Sequence, residues 1–76
     1  RTTAPTPLVS VCIVHHDRPT LLRRALRSVE RQSYPRIEVV LVDDGSRTPA
    51  SARMLQRLEP EFRARGWRIV RQSNRY

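Results

Sequence analysis

Two short polar clusters carry the side chains in this sequence that could do chemistry: His15-His16-Asp17-Arg18 and Asp43-Asp44-Gly45-Ser46. Asp43 or Asp44 can accept hydrogen bonds from a sugar hydroxyl or a base N–H, and Arg18 offers a planar fork suited to phosphate. Backbone amides opening a helix at Arg18 would add positive potential for a phosphate or diphosphate. The adjacent imidazoles of His15 and His16 point to opposite faces of an extended segment, so a shared metal ion is not expected from them. Asp17, two residues before Pro19, is placed to cap a following helix, and Asp43 suits a turn-organising role.

Several chemistries are disfavoured by what the sequence lacks. No glycine-rich loop follows the first apolar run, which argues against dinucleotide oxidoreductases and P-loop nucleotidases. A phosphorelay receiver would place its acidic pair after the first strand and a further Asp after the third, and would use a Lys; here the pair follows the second run and the chain has no Lys. The single cysteine, Cys12, excludes an internal disulfide and any multi-cysteine zinc site. It sits in an apolar run and reads as a small buried hydrophobe.

The chain has 76 residues and a formal charge of +8, every one of its 15 basic residues being Arg. Anionic partners are favoured by that balance, but beyond Arg1 the arginines are scattered from Arg18 to Arg75 rather than gathered in one run, which weakens a nucleic-acid reading. Hydrophobic residues make up 38%, enough for one small core and too much for a disordered chain. The apolar stretches Leu8 to Val14 and Val39 to Val42 fall far short of the roughly 20 residues needed to cross a bilayer. No leader pattern of charged head and apolar run is visible, and an opening on Arg1 fits a segment of a longer chain.

The clusters need elements to position them. Residues Arg1 to Pro7, rich in Thr and Pro, read as an extended lead-in or linker, with the packed domain running from 8 to 76. Leu8 to Val14 is nearly continuous and β-branched, the pattern of a central strand covered on both faces. Leu22, Ala25, Leu26 and Val29 fall at helical spacing, opposite Arg23, Arg24, Arg27 and Arg31, on a helix that Tyr34-Pro35 brings to an end. Ile37 to Val42 is a second strand. Thr48-Pro49 opens a second helix with the stripe Met54, Leu55, Leu58 and Phe62; Pro60 is expected to interrupt or split it, and Gly66 to cap it. Trp67 to Val70, reaching as far as Gln72, makes a third strand. Trp67 reads as packing rather than as a carbohydrate platform.

Strand, helix, strand, helix, strand predicts an α/β fold with three parallel strands joined by right-handed crossovers. Ligands of such sheets bind outside the carboxyl ends of the strands, where both polar clusters fall. Three parallel strands leave edges bare and a face to be covered, so the unit reads as half of a domain.

The run Val9-Ser10-Val11-Cys12-Ile13-Val14-His15-His16-Asp17-Arg18, then Leu21 to Val29, then Gln32-Ser33-Tyr34-Pro35 with Ile37-Glu38-Val39-Val40-Leu41-Val42-Asp43-Asp44-Gly45-Ser46, resembles the amino-terminal part of family 2 glycosyltransferases with the GT-A fold. Arg71 to Arg75 is similar to that family's lead into its next helix. The resemblance implies the nucleotide-sugar-binding half of a Rossmann-like GT-A domain, taking a nucleoside diphosphate sugar, usually of uridine, and moving the sugar to an acceptor hydroxyl. In that family the loop after the first strand commonly reads Pro-Thr-Tyr-Asn-Arg; here Val14 replaces the proline and His16 the aromatic that lies near the base. Asp44 matches the acid that contacts the base, with Asp43 organising the loop. The implied donor-binding set is Asp44, Asp43, His16, His15, Arg18 and Val14, with no catalytic residue among them.

The family's metal-binding Asp-x-Asp, its base and its acceptor site would lie beyond residue 76. A divalent metal, Mg or Mn, is therefore expected for the complete enzyme with ligands outside this segment, which alone would lack transfer activity. The remainder of the GT-A domain is the implied partner, with no nucleic acid, at a cytoplasmic location or the cytoplasmic face of a membrane. The alternatives are a basic non-catalytic module binding nucleic acid or a protein through the Arg-rich helix face, and a truncated piece with no function of its own.

Overall fold

The computed structural model describes residues 7–73. The chain runs β1 (Val9–His15), α1 (Pro19–Glu30), β2 (Ile37–Asp44), α2 (Pro49–Arg65) and β3 (Arg68–Gln72). All three strands are parallel in one sheet of order β1-β2-β3, as the alternating pattern predicts. Of the expected lead-in over 1–7, only Pro7 falls within the described residues; it lies outside any element, and its carbonyl accepts from the Tyr34 hydroxyl.

Alternation along each strand sorts its side chains between two faces. Val11, Ile13 and His15 of β1, Val39, Leu41 and Asp43 of β2, and Ile69 of β3 face the helices; Val39 and Leu41 are 0% exposed. Leu22 and Leu26 of α1 and Met54, Leu55 and Phe62 of α2 close over them. The helices touch each other as well as the sheet, so both lie on one face.

The opposite face carries Ser10, Cys12 and Val14, Glu38, Val40 and Val42, and Arg68 and Val70, with no helix of the described residues upon it. Two expectations are corrected here. β1 lies at a sheet edge rather than in its centre, which β2 occupies, and Cys12 is exposed rather than buried. A continuous apolar run signals a strand that something covers on both faces, but the described residues provide cover on one face only.

α1 begins with Pro19 and stops at Glu30, a full turn before Tyr34-Pro35, where the Arg31 N–H still reaches the Arg27 carbonyl at 3.1 Å. α2 opens as its sequence predicts: the Thr48 hydroxyl accepts from the Ser51 N–H at 3.2 Å, capping one amide that the helix leaves unpaired. Its end has Gly66 at φ 73, with the Gly66 N–H on the Arg63 carbonyl and the Trp67 N–H on the Phe62 carbonyl at 2.8 Å. That pair of bonds is a Schellman closure, which needs a left-handed residue and so favours glycine. Trp67 then turns onto Phe62, with ring centroids 5.3 Å apart and planes at 86°, and its indole N–H donates to the Ile37 carbonyl at 3.2 Å. Its role in this structure is packing ahead of β3.

Pro60 does not divide α2, which runs unbroken from Pro49 to Arg65. Proline withdraws the N–H that would bond the carbonyl four residues earlier, at Gln56. Both residues are exposed, so that carbonyl has access to water and the helix continues past it.

Candidate functional site

Parallel pairing brings the two polar clusters together because β1 and β2 end level with each other. In the register His15 stands opposite Asp43, each one the last helix-facing position of its strand. Both are buried, at 3% and 4% exposure, and His15 Nδ1 lies 2.9 Å from Asp43 Oδ1. The Arg18 backbone N–H donates to His15 Nε2 at 3.0 Å, so the ring carries its hydrogen on Nδ1 and gives it to Asp43. One imidazole thus ties the opening of α1 to the tip of β2.

Asp43 is fully engaged within the protein. Its Oδ1 accepts from the Ser46 hydroxyl at 2.5 Å and its Oδ2 from the Ser46 N–H at 3.2 Å, closing the turn across Gly45, which adopts φ 71. Ser46 in turn accepts from the Asp17 N–H at 2.9 Å. Sequence reasoning did not nominate Ser46 as a functional residue; the three-residue spacing from Asp43 to Ser46, a common side-chain-to-backbone turn pattern, is the signal that could have found it.

The outward side of the same corner is less occupied. His16 is exposed, and its Nδ1–H donates to the Asp44 carbonyl at 2.6 Å, leaving the ring faces and Nε2 open. Asp44, half-buried at the end of β2, accepts at Oδ1 from the Gln72 amide at 3.4 Å, a contact made by the β3 register and missed from sequence. Arg18 is exposed and is the residue from which α1 departs. Val14, 68% exposed, stands beside Val42 on the uncovered sheet face. Of the six sequence-nominated residues, then, His15 and Asp43 fill the inner part of the corner with their own hydrogen bonds. His16 and Asp44 meet on its outer side, Arg18 is exposed where α1 departs, and Val14 faces the other side of the sheet.

Asp17 does not cap α1, whose N-cap Arg18 has no side-chain bond to a helix amide. With φ 47 it takes a left-handed backbone that turns its carboxylate across to the start of α2. Oδ1 accepts from the Arg47 N–H at 2.9 Å and the Thr48 N–H at 3.0 Å, Oδ2 from the Arg47 N–H at 3.1 Å, and the Thr48 hydroxyl lies 3.1 Å from Oδ1. These bonds, first from the Thr48 amide and then from that of Arg47, hold the Asp17 carboxyl well below the usual carboxylate range.

A hollow of about 380 Å³ lies on the helix side of the turn, lined by Asp43, Ser46, Arg47, Leu55, Arg71 and Gln72 among others. A groove of like volume between α1 and α2, bordered by Arg23, Arg27, Arg57 and Arg65, is remote from the strand tips. Neither is lined by His16 or Asp44. Among the described residues no group of three or more His, Cys, Asp or Glu side chains is placed to hold a metal ion. No helix among them is long and apolar enough to cross a membrane.

A parallel βαβαβ sheet with its polar residues gathered at the carboxyl strand ends defines half of a Rossmann-like α/β protein. The family model described as glycosyl transferase family 2 matches residues 10–76, and the chain belongs to that family. No curated protein and no solved structure matches it.

Proposed function

We propose that this chain forms the donor-binding part of a GT-A glycosyltransferase, holding a nucleoside diphosphate sugar, of uridine, while the sugar passes to an acceptor hydroxyl. The observation that carries the reading is the locked pair of strand tips: His15 and Asp43 fix them side by side, His16 is bonded to the Asp44 carbonyl on the outward side, and Arg18 opens α1 next to them. In this reading Asp44 accepts from the base or ribose through the carboxylate oxygen that Gln72 leaves unbonded. The open face of His16 lies against the base, and Arg18 reaches the diphosphate with a fork suited to phosphate oxygens. Val14 forms an apolar wall beside the base, while His15 and Asp43 contribute by fixing the corner rather than by their remaining hydrogen-bond capacity.

A divalent ion would neutralise the leaving diphosphate and a base would activate the acceptor hydroxyl. In this reading both would be supplied by the remainder of a GT-A domain rather than by the strand-tip residues. Titration with uridine diphosphate, and separately with a single-stranded oligonucleotide at two salt concentrations, tests the proposal. Nucleotide binding that Asp44→Ala weakens by about tenfold or more, as loss of one or two buried-edge hydrogen bonds entails, is the expected result. Affinity unchanged in Asp44→Ala overturns the site. Strongly salt-dependent oligonucleotide binding without nucleotide binding would replace the reading with that of a basic module.

A further inference from the structure

Asp17 is the single non-glycine among the described residues with a left-handed backbone, and no helix-capping role accounts for it. Left-handed conformations cost energy for any residue with a Cβ and persist where the surroundings hold them, Asp and Asn being the most tolerant. What holds this one is visible. The Asp17 amide is bonded to Ser46, and its carboxylate gathers the Arg47 and Thr48 amides, so one residue of the first loop grips three consecutive residues of the second. On either side of it His16 is bonded to the Asp44 carbonyl and the Arg18 amide to His15.

We propose that Asp17 is a positioning residue: a clamp that sets the β1–α1 and β2–α2 loops in the one arrangement where His16, Arg18 and Asp44 face a nucleotide together. The proposal rests on the donor-site reading above and adds to it a residue that touches no part of the donor. Its chemistry is particular. The position requires both tolerance of a left-handed backbone and an acceptor able to serve two amides, a combination that Asp has, Asn has in part, Gly has by half and Ala lacks.

Four forms of the chain, unsubstituted, Asp17→Asn, Asp17→Gly and Asp17→Ala, separate these requirements. For each, uridine diphosphate affinity is measured by calorimetry, the melting temperature by circular dichroism, and hydrogen exchange at the Arg47 and Thr48 amides by nuclear magnetic resonance. Asp17→Gly should keep the fold and the backbone turn yet speed exchange at both amides and weaken the nucleotide by about tenfold, the scale of one or two lost hydrogen bonds. Asp17→Asn should restore most of both, since its carbonyl oxygen accepts where Oδ1 does. A purely structural residue would lower the melting temperature in Asp17→Gly and Asp17→Ala while leaving nucleotide affinity unchanged in the folded fraction, and that outcome overturns the proposal. Unaltered exchange at Arg47 and Thr48 in Asp17→Gly overturns it as well. Should the unsubstituted chain fail to bind uridine diphosphate, the donor-site reading falls and takes the positioning role with it; protected amides that Asp17→Gly exposes would then leave Asp17 as a loop fastener only.

Discussion

At the scale of single residues, the corner is built from polar groups that satisfy one another before any ligand arrives. His15 and Asp43 are buried and bonded, and no buried side-chain nitrogen or oxygen among the described residues lacks a partner. The Asp17 carboxylate adds a pH dependence whose sign follows from its bonds. Because folding lowers its pKa, its contribution is present above the unfolded value and fades as pH falls through the folded one. The melting-temperature gap between the unsubstituted chain and Asp17→Asn should therefore narrow on going from about pH 5 to about pH 2, since the amide does not titrate. A gap that stays constant over that range would show that the charge of Asp17 does not matter to stability. Asp17 was also the residue least legible in the sequence. Asp followed two residues later by Pro is the local signature of a helix cap, and the amides that claim its carboxylate lie 30 and 31 positions away. Local spacing identifies the type of bond a carboxylate makes, and only tertiary structure selects among competing donors.

Elements were more legible than residues, because periodicity reports the face each one buries. The stripes Leu22–Leu26 and Met54–Leu55–Phe62 are the buried ones, and Thr48 and Gly66 mark the two ends of α2 as their chemistry predicts. β1 and β2 run further than expected, to His15 and Asp44, since polar residues at a strand tip look like loop until their pairing is known, whereas β3 ends at Gln72 as its pattern allows. Pro60 leaves α2 unbroken because proline breaks a helix by what it denies the preceding turn, and on an exposed side water can replace the lost bond. Gly66 offers a clean test at this scale. Nothing lies within 4 Å of a Cβ added there, so the cost of Gly66→Ala is that of the left-handed backbone alone, at φ 73. Chemical denaturation should show a loss of about 1 kcal/mol, without change in the denaturant dependence. A loss near zero would mean that the closure of α2 relaxes to another form.

For the molecule as a whole, the described residues make a three-stranded parallel sheet that they cover on one face, leaving a second face apolar in part and, among these residues, two strand edges unpaired. Val14 and Val70 are exposed there at 68% and 42%, with half-buried Val40 and Val42 between them. Parallel sheets are normally buried on both faces, and open edges invite pairing with other chains. The chain by itself should thus associate as its concentration rises, which sedimentation would detect as a growing mean mass; a sharp monomer that unfolds cooperatively would count against the half-domain architecture. That a face was missing could be read from the count of strands and the continuous β1 run, whereas which strand lay at the edge could not, because the run looks the same whether its cover comes from this segment or from elsewhere.

The lone thiol of the sequence happens to sit on that second face, midway along the edge strand β1, where Cys12 is exposed beside Val40. Nature has thereby installed a gauge: the speed with which a small alkylating reagent consumes this sulfur reports, without any engineered label, how much of the sheet's naked side is sheltered at a given moment.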